Sequence, residues 1–89
     1  MNFCELKDAC FDYFLHWKHM EEMREMSGGM PIYGMNQQRI EYHERILEIT
    51  GLERERLRFL TDSMFEVKDK YDFYNKVLNE VRYEDTIRV

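Results

Sequence analysis

Eighty-nine residues carry 18 acidic and 13 basic side chains, a net charge of −5, which disfavours indiscriminate attraction to phosphate backbones. A chain of this length buries only about 60 to 65% of the surface its unfolded form exposes, so its core is thin and leaves little room for an enclosed active-site pocket. No stretch approaches the roughly 20 apolar residues of a membrane span, and the opening residues lack the basic-then-apolar pattern of a signal peptide.

Two cysteines cannot build a disulfide scaffold. Cys4 and Cys10 lie on one predicted helix, too far along its axis to bridge each other. The expectation is one domain over residues 1–89 in a reducing cytoplasm. Ala9 is the only alanine, so helicity must come from packing and from Leu, Glu, Lys, Arg and Met. One alanine and one proline beside six Tyr and six Phe is a composition that an AT-rich coding sequence tends to give, and bacteriophages and other mobile elements often have such sequences.

In chain order, Asn2 with Glu5 three places later reads as an N-terminal capping pair and starts a helix over 2–26. Its apolar stripe is Phe3, Leu6, Cys10, Tyr13, Phe14 and Trp17, at helical spacing. Met20, Met23 and Met26 follow at three-residue steps that rotate around the helix, which leaves that end half exposed. Ser27, Gly28 and Gly29 end it. The loop 27–35 holds the only proline and three of the four glycines, with Met30, Ile32 and Tyr33 making it unusually apolar.

Asn36 is the expected cap of a second helix over 37–49, with Ile40, His43, Ile46, Leu47 and Thr50 facing inward. Gly51 marks a tight corner, and Thr50 with Glu53 reads as a capping box for the next helix. From there Leu57, Leu60, Met64, Val67, Tyr71, Tyr74, Leu78 and Val81 alternate three and four steps, a sustained heptad. One helix over 51–82 satisfies that pattern and would be about 45 Å long. Capping pairs at Ser63/Glu66 and Asp69/Asp72 compete with it and would break the helix near 61–70. Residues 83–89 read as a tail.

The predicted fold is all-α: a small antiparallel bundle of three helices, or four if the last one breaks, with a long heptad-patterned C-terminal helix against which the first two pack. The expected core is Phe3, Leu6, Phe14, Trp17, Ile40, Leu47, Leu57, Leu60 and Met64. Loss of the Trp17 ring should then cost about 3 to 5 kcal/mol.

Chemistry-bearing patterns are sparse. His16 and His19, near Glu22 and Cys10, are the best metal candidates, but structural zinc needs four ligands with recognisable spacing, so no metal site is expected and both read as ordinary surface histidines. No nucleophile elbow, phosphate-cradling loop or cysteine-protease motif occurs, so neither an enzyme nor a cofactor is expected. Residues 46–60 resemble the spacing of a helix-turn-helix motif and would present Arg54, Arg56 and Arg58 to DNA. Glu53 and Glu55 interrupt those arginines, and the chain is acidic, so nucleic acid is the lesser alternative.

Apolar groups outside the stripes, Phe65 and Tyr83 flanking the heptad seam among them, point instead to a protein partner. Met20, Met23, Met26, Met30, Ile32, Tyr33, Tyr71, Phe73 and Tyr74 are the expected contact residues, because methionine adapts to irregular surfaces and aromatic rings anchor interfaces. Packing of the same residues into the core is the competing explanation. The functional expectation is a non-enzymatic protein-binding module, such as a phage or mobile-element inhibitor of a host enzyme or defence complex, an anti-CRISPR-like role included. A self-assembling helical protein, a homodimer for instance, is the other alternative.

Overall fold

Among the described residues, a computed structural model has four α-helices: α1 (Phe3–Met26), α2 (Met35–Thr50), α3 (Arg54–Asp62) and α4 (Lys70–Ile87), with a 3-10 turn at Met64–Glu66 between the last two. The structure describes residues 1–26, 28 and 35–87, without the side chains of 35, 36, 85 and 87. The expected contact residues Met30, Ile32 and Tyr33 lie outside the described residues. The all-α expectation holds, and the last helix is broken.

Asn2 caps α1 as its sequence signal predicts, its side-chain oxygen accepting the N–H groups of Cys4 at 3.0 Å and Glu5 at 3.2 Å. Gly28 follows the helix at φ +70°, a left-handed conformation that favours glycine. Gly51 takes the same conformation after α2, and its N–H donates to the Leu47 carbonyl at 2.8 Å. Helix α2 begins two residues before the expected start, so Asn36 lies inside it and does not precede it.

The Thr50/Glu53 capping box does not form. The Thr50 hydroxyl donates back to the Ile46 carbonyl at 2.7 Å and accepts the Leu52 N–H at 3.2 Å, so it closes α2 instead of opening α3. Glu53 occupies the cap position of α3 in extended conformation and makes no side-chain cap bond. Its own N–H donates to the Glu84 carboxylate at 3.3 Å.

The pair at Asp69 and Asp72 is the capping signal that wins in the last third of the chain. Asp69 Oδ1 accepts the Asp72 N–H at 2.8 Å, and Asp72 Oδ2 accepts the Lys68 N–H at 3.0 Å. Two backbone donors that a helix start leaves without partners are thereby satisfied reciprocally. The single helix over 51–82 is therefore corrected to two helices. The expected tail is corrected as well, because α4 continues to Ile87 with no Gly or Pro to stop it.

The break changes which residues face inward. Met64 and Phe73 are nine apart, which on one straight helix puts them about 180° from each other. With the chain broken between them, both are buried, at 2% and 0% exposure. The inward stripe of α4 is Phe73, Val77 and Val81 at four-residue steps, and Tyr71, a heptad position, is 54% exposed. The heptad is accurate from Leu57 to Val67; beyond the break Tyr71 leaves it for solvent, Tyr74 and Leu78 pack on the core margin, and Val81 belongs to both stripes.

Helix α1 is the hub and packs on both α2 and α4, whereas the expectation made the C-terminal helix the common partner. Contacts of Asp12 with Arg45, Tyr13 with His43 and His16 with Tyr42 advance along α1 as they retreat along α2, an antiparallel register. The core joins Leu6, Ala9, Cys10, Tyr13 and Phe14 of α1 to Ile46, Leu52, Leu57, Met64, Val67, Phe73, Val77 and Val81. Of the expected core, Phe3 and Ile40 are about half exposed, and Trp17, Leu47 and Leu60 pack on its margin. Trp17 packs on the core margin beside Phe14, ring centroids 5.9 Å apart, and Phe73 is the fully buried aromatic anchor.

Replacing Phe73 with Ala should cost about 3 to 5 kcal/mol in urea unfolding, while Tyr71→Ala should cost about 1 kcal/mol or less. The reverse order would mean that the heptad register, and not the broken one, describes α4.

Candidate functional site

Where α2 and α3 meet over α1, the helix spacing sets side chains from three elements around one open groove of about 370 Å³. Helix α2 contributes Arg39, Ile40, His43 and Glu44, two adjacent pairs one turn apart. Helix α3 contributes Arg54, Arg58, Thr61 and Asp62 at the same periodicity, and Tyr13 of α1 forms the floor.

Tyr13 is held firmly. It is 2% exposed, its ring stacks on Phe73 with centroids 5.3 Å apart, and its hydroxyl shares a hydrogen bond with the Thr61 side chain. Burial pushes its phenol above the ordinary value. The Thr61 hydroxyl in turn donates to the Arg58 carbonyl at 3.0 Å, which ties the floor to the α3 wall.

Arg54 grips both carboxylate oxygens of Glu44, one through Nη2 at 3.0 Å. This bidentate pair holds the Glu44 carboxyl below its ordinary pKa and pins α3 to α2 across the Gly51 corner. His43 is half-buried, and its pKa is lowered first by burial and further by Arg54, Arg39 and Arg58, against an upward pull from Glu44. The balance favours the neutral imidazole.

The three arginines of the helix-turn-helix reading do not act together. Residues two apart point to different sides of a helix, and Arg56 turns from the groove towards α4. Its guanidinium lies 3.4 Å from both Glu80 and Glu84 and 4.8 Å from the centroid of the Tyr83 ring. Glu84, 8% exposed, also receives the Glu53 N–H. Arg56 is thus a strut between α3 and α4.

The expected partner-binding residues separate into three groups. Met26 is 83% exposed at the end of α1, while Met20 and Met23 are half-buried. Tyr71 and Tyr74 gather with Phe11, ring centroids at 5.0 and 6.5 Å, beneath Lys7 and Lys70. Phe73 is corrected from contact residue to core, because the helix break rotates it inward.

Sequence reasoning passed over Phe59, 78% exposed, whereas Phe65, 79% exposed, already stood among its surplus apolar residues. It also passed over the groove. Arg39 and His43 one turn apart, facing Arg54 and Arg58 one turn apart across a glycine corner, were its only signal. The metal candidates are dispersed: His16 packs at 5.2 Å on Tyr42 and His19 is exposed. Among the described residues no three His, Cys, Asp or Glu side chains gather as a metal site would require, and no helix is long and apolar enough to cross a membrane.

No known family model matches this chain, and no curated protein or solved structure shows significant similarity to it.

Two solution measurements check this electrostatic picture. A base whose folded pKa is depressed charges more readily when unfolded, so stability should fall as pH drops below the ordinary imidazole value of 6.5 towards the lower folded value. His43→Gln should remove that part of the slope in urea unfolding between pH 7.5 and 5; an unchanged slope would mean that His43 is not its source. Burial also pushes the Cys10 thiol up to about 12, while Cys4 is exposed. A thiol reagent at pH 8 should label one cysteine in the native protein and the second only on denaturation; rapid labelling of both would contradict the packing around Cys10.

Proposed function

We propose that this chain is a non-enzymatic protein-binding module whose contact surface is centred on α3 and the turn that follows it. The observation that carries this reading is the exposure of Phe59 and Phe65 on a chain with so little core to spare. A fully buried aromatic side chain contributes about 1.5 to 3 kcal/mol relative to an exposed one. Here Val77 and Val81 are buried while two phenylalanines within one short segment stay in solvent.

Segment 59–65 is also well braced, which suits a preformed contact surface. The Ser63 hydroxyl reaches the Phe59 carbonyl at 3.5 Å, and the 3-10 turn is closed by the Glu66 N–H on the Ser63 carbonyl and the Val67 N–H on that of Met64. Met26 at the end of α1 offers a further adaptable apolar group. The acidic balance of the chain favours a partner with a basic surface. An inhibitor of a host enzyme or defence complex, carried by a phage or mobile element, is the form of this activity that the composition favours.

Affinity capture from cells of the source organism, with the native chain and with a Phe59→Ser/Phe65→Ser variant, tests the reading. The native chain should retain a defined protein that the variant loses by tenfold or more, a change of about 1.4 kcal/mol or greater. Urea unfolding midpoints of the two should agree. Equal capture by both, or none by either, would overturn it, and a defined homodimer in light scattering that the variant converts to monomer would replace the foreign partner with a second copy.

A further inference from the structure

The groove over Tyr13 holds more positive charge than the fold uses. Arg54 is committed to Glu44, yet neither Arg39 nor Arg58 enters an ion pair among the described residues. These two guanidinium groups come from different helices and act on the same imidazole of His43. In a chain of net −5, carboxylates are abundant enough to have neutralised both, and most other arginines of the bundle do have a carboxylate partner: Arg24 with Glu21, Arg45 with Asp12, and Arg56 with Glu80 and Glu84.

Guanidinium groups are planar forks that match an oxyanion with parallel N–H bonds. Two of them from opposite walls are a geometry for an anion entering from solvent. Ile40 and the Tyr13 ring supply apolar wall and floor, and a volume of about 370 Å³ exceeds a lone phosphate and falls within the range of small-ligand sites.

We propose that this groove binds a small ligand bearing an oxyanion, a phosphate or a carboxylate, between Arg39 and Arg58. Neither Phe59 nor Phe65 lines the groove, so ligand binding is independent of the protein-binding reading and is measured on the pure chain. Glu44 and Asp62 also line it; Glu44 is neutralised by Arg54, and Asp62 disfavours an oxyanion on its own side.

His43 is the reporter. An oxyanion among Arg39, Arg58 and the ring offsets the positive field that disfavours the imidazolium, so saturation should raise the His43 pKa, with Glu44, Arg54, Asp62 and Tyr13 unchanged around it. Imidazole resonances followed by NMR during titration with inorganic phosphate, and separately with citrate, at ionic strength held constant with sodium chloride, give both affinity and pKa. Saturable shifts centred on the groove are expected from at least one of the two, and whichever saturates at lower concentration names the source of the oxyanion. The Arg39→Gln/Arg58→Gln variant should weaken binding by at least about tenfold, and Arg82→Gln on α4 should leave it unaltered. Both groove positions are exposed, and far-UV circular dichroism checks that the double variant keeps its helices. Shifts that fail to saturate for both anions, or an affinity indifferent to Arg39 and Arg58, would overturn the proposal.

Discussion

The reciprocal hydrogen bonds between Asp69 and Asp72 and the backbone at the start of α4 are the constraint from which the rest of the bundle follows. A continuous helix would keep Tyr71 in phase with Met64 and carry Phe73 to the opposite side. Capping at Asp69 lets the chain stop, turn through Val67 in extended conformation and begin again in a new phase. Caps of this kind stabilise a helix by only about 1 kcal/mol, which is small beside the several kcal/mol at stake in burying Phe73. The box therefore permits the new register, and Phe73 provides its driving force.

Once Phe73 faces inward, other positions are no longer free. Its ring lies under Tyr13, which sets the floor of the groove between α2 and α3. The same phase of α4 brings Glu80 and Glu84 beneath Arg56 and places the Glu84 carboxylate on the Glu53 N–H. A helix start without a side-chain cap of its own is thus completed from a helix that is remote in sequence. Loss of the α4 register would remove the floor of the groove and the α3–α4 strut together.

Electrostatics in this chain arranges parts more than it stabilises them. Pairs such as Arg45 with Asp12 are solvent-exposed on both sides and contribute about 0 to 1 kcal/mol each. Their effect is to commit particular cations and so define which remain available. Arg54 and Arg58 lie one turn apart on the same wall, yet Arg54 is held by Glu44 and Arg58 is not. The distinction comes from the position of Glu44 on the facing helix. The apolar side chains divide in a similar way, since α3 turns Leu57 inward and Phe59 to solvent, giving the bundle a polar groove and an aromatic segment as separate surfaces.

Sequence alone determined the helical class, the Asn2 cap, the glycine-terminated ends of the first two helices and the inward positions of Leu6, Phe14, Leu57 and Met64, because these depend on neighbours within about one turn. It also contained the Asp69/Asp72 signal, without a means of weighing it against an unbroken heptad: periodicity identifies a stripe, but two stripes in different phase on one segment are equally regular. Only tertiary structure decided that Phe73 and Val77 join Val81 on the inward face of α4, that α1 and not the C-terminal segment is the hub, and which arginines acquire carboxylate partners. Those outcomes depend on which helix faces which across the Gly51 corner and the break at 63–69, a choice that local hydrogen bonding and side-chain spacing do not encode.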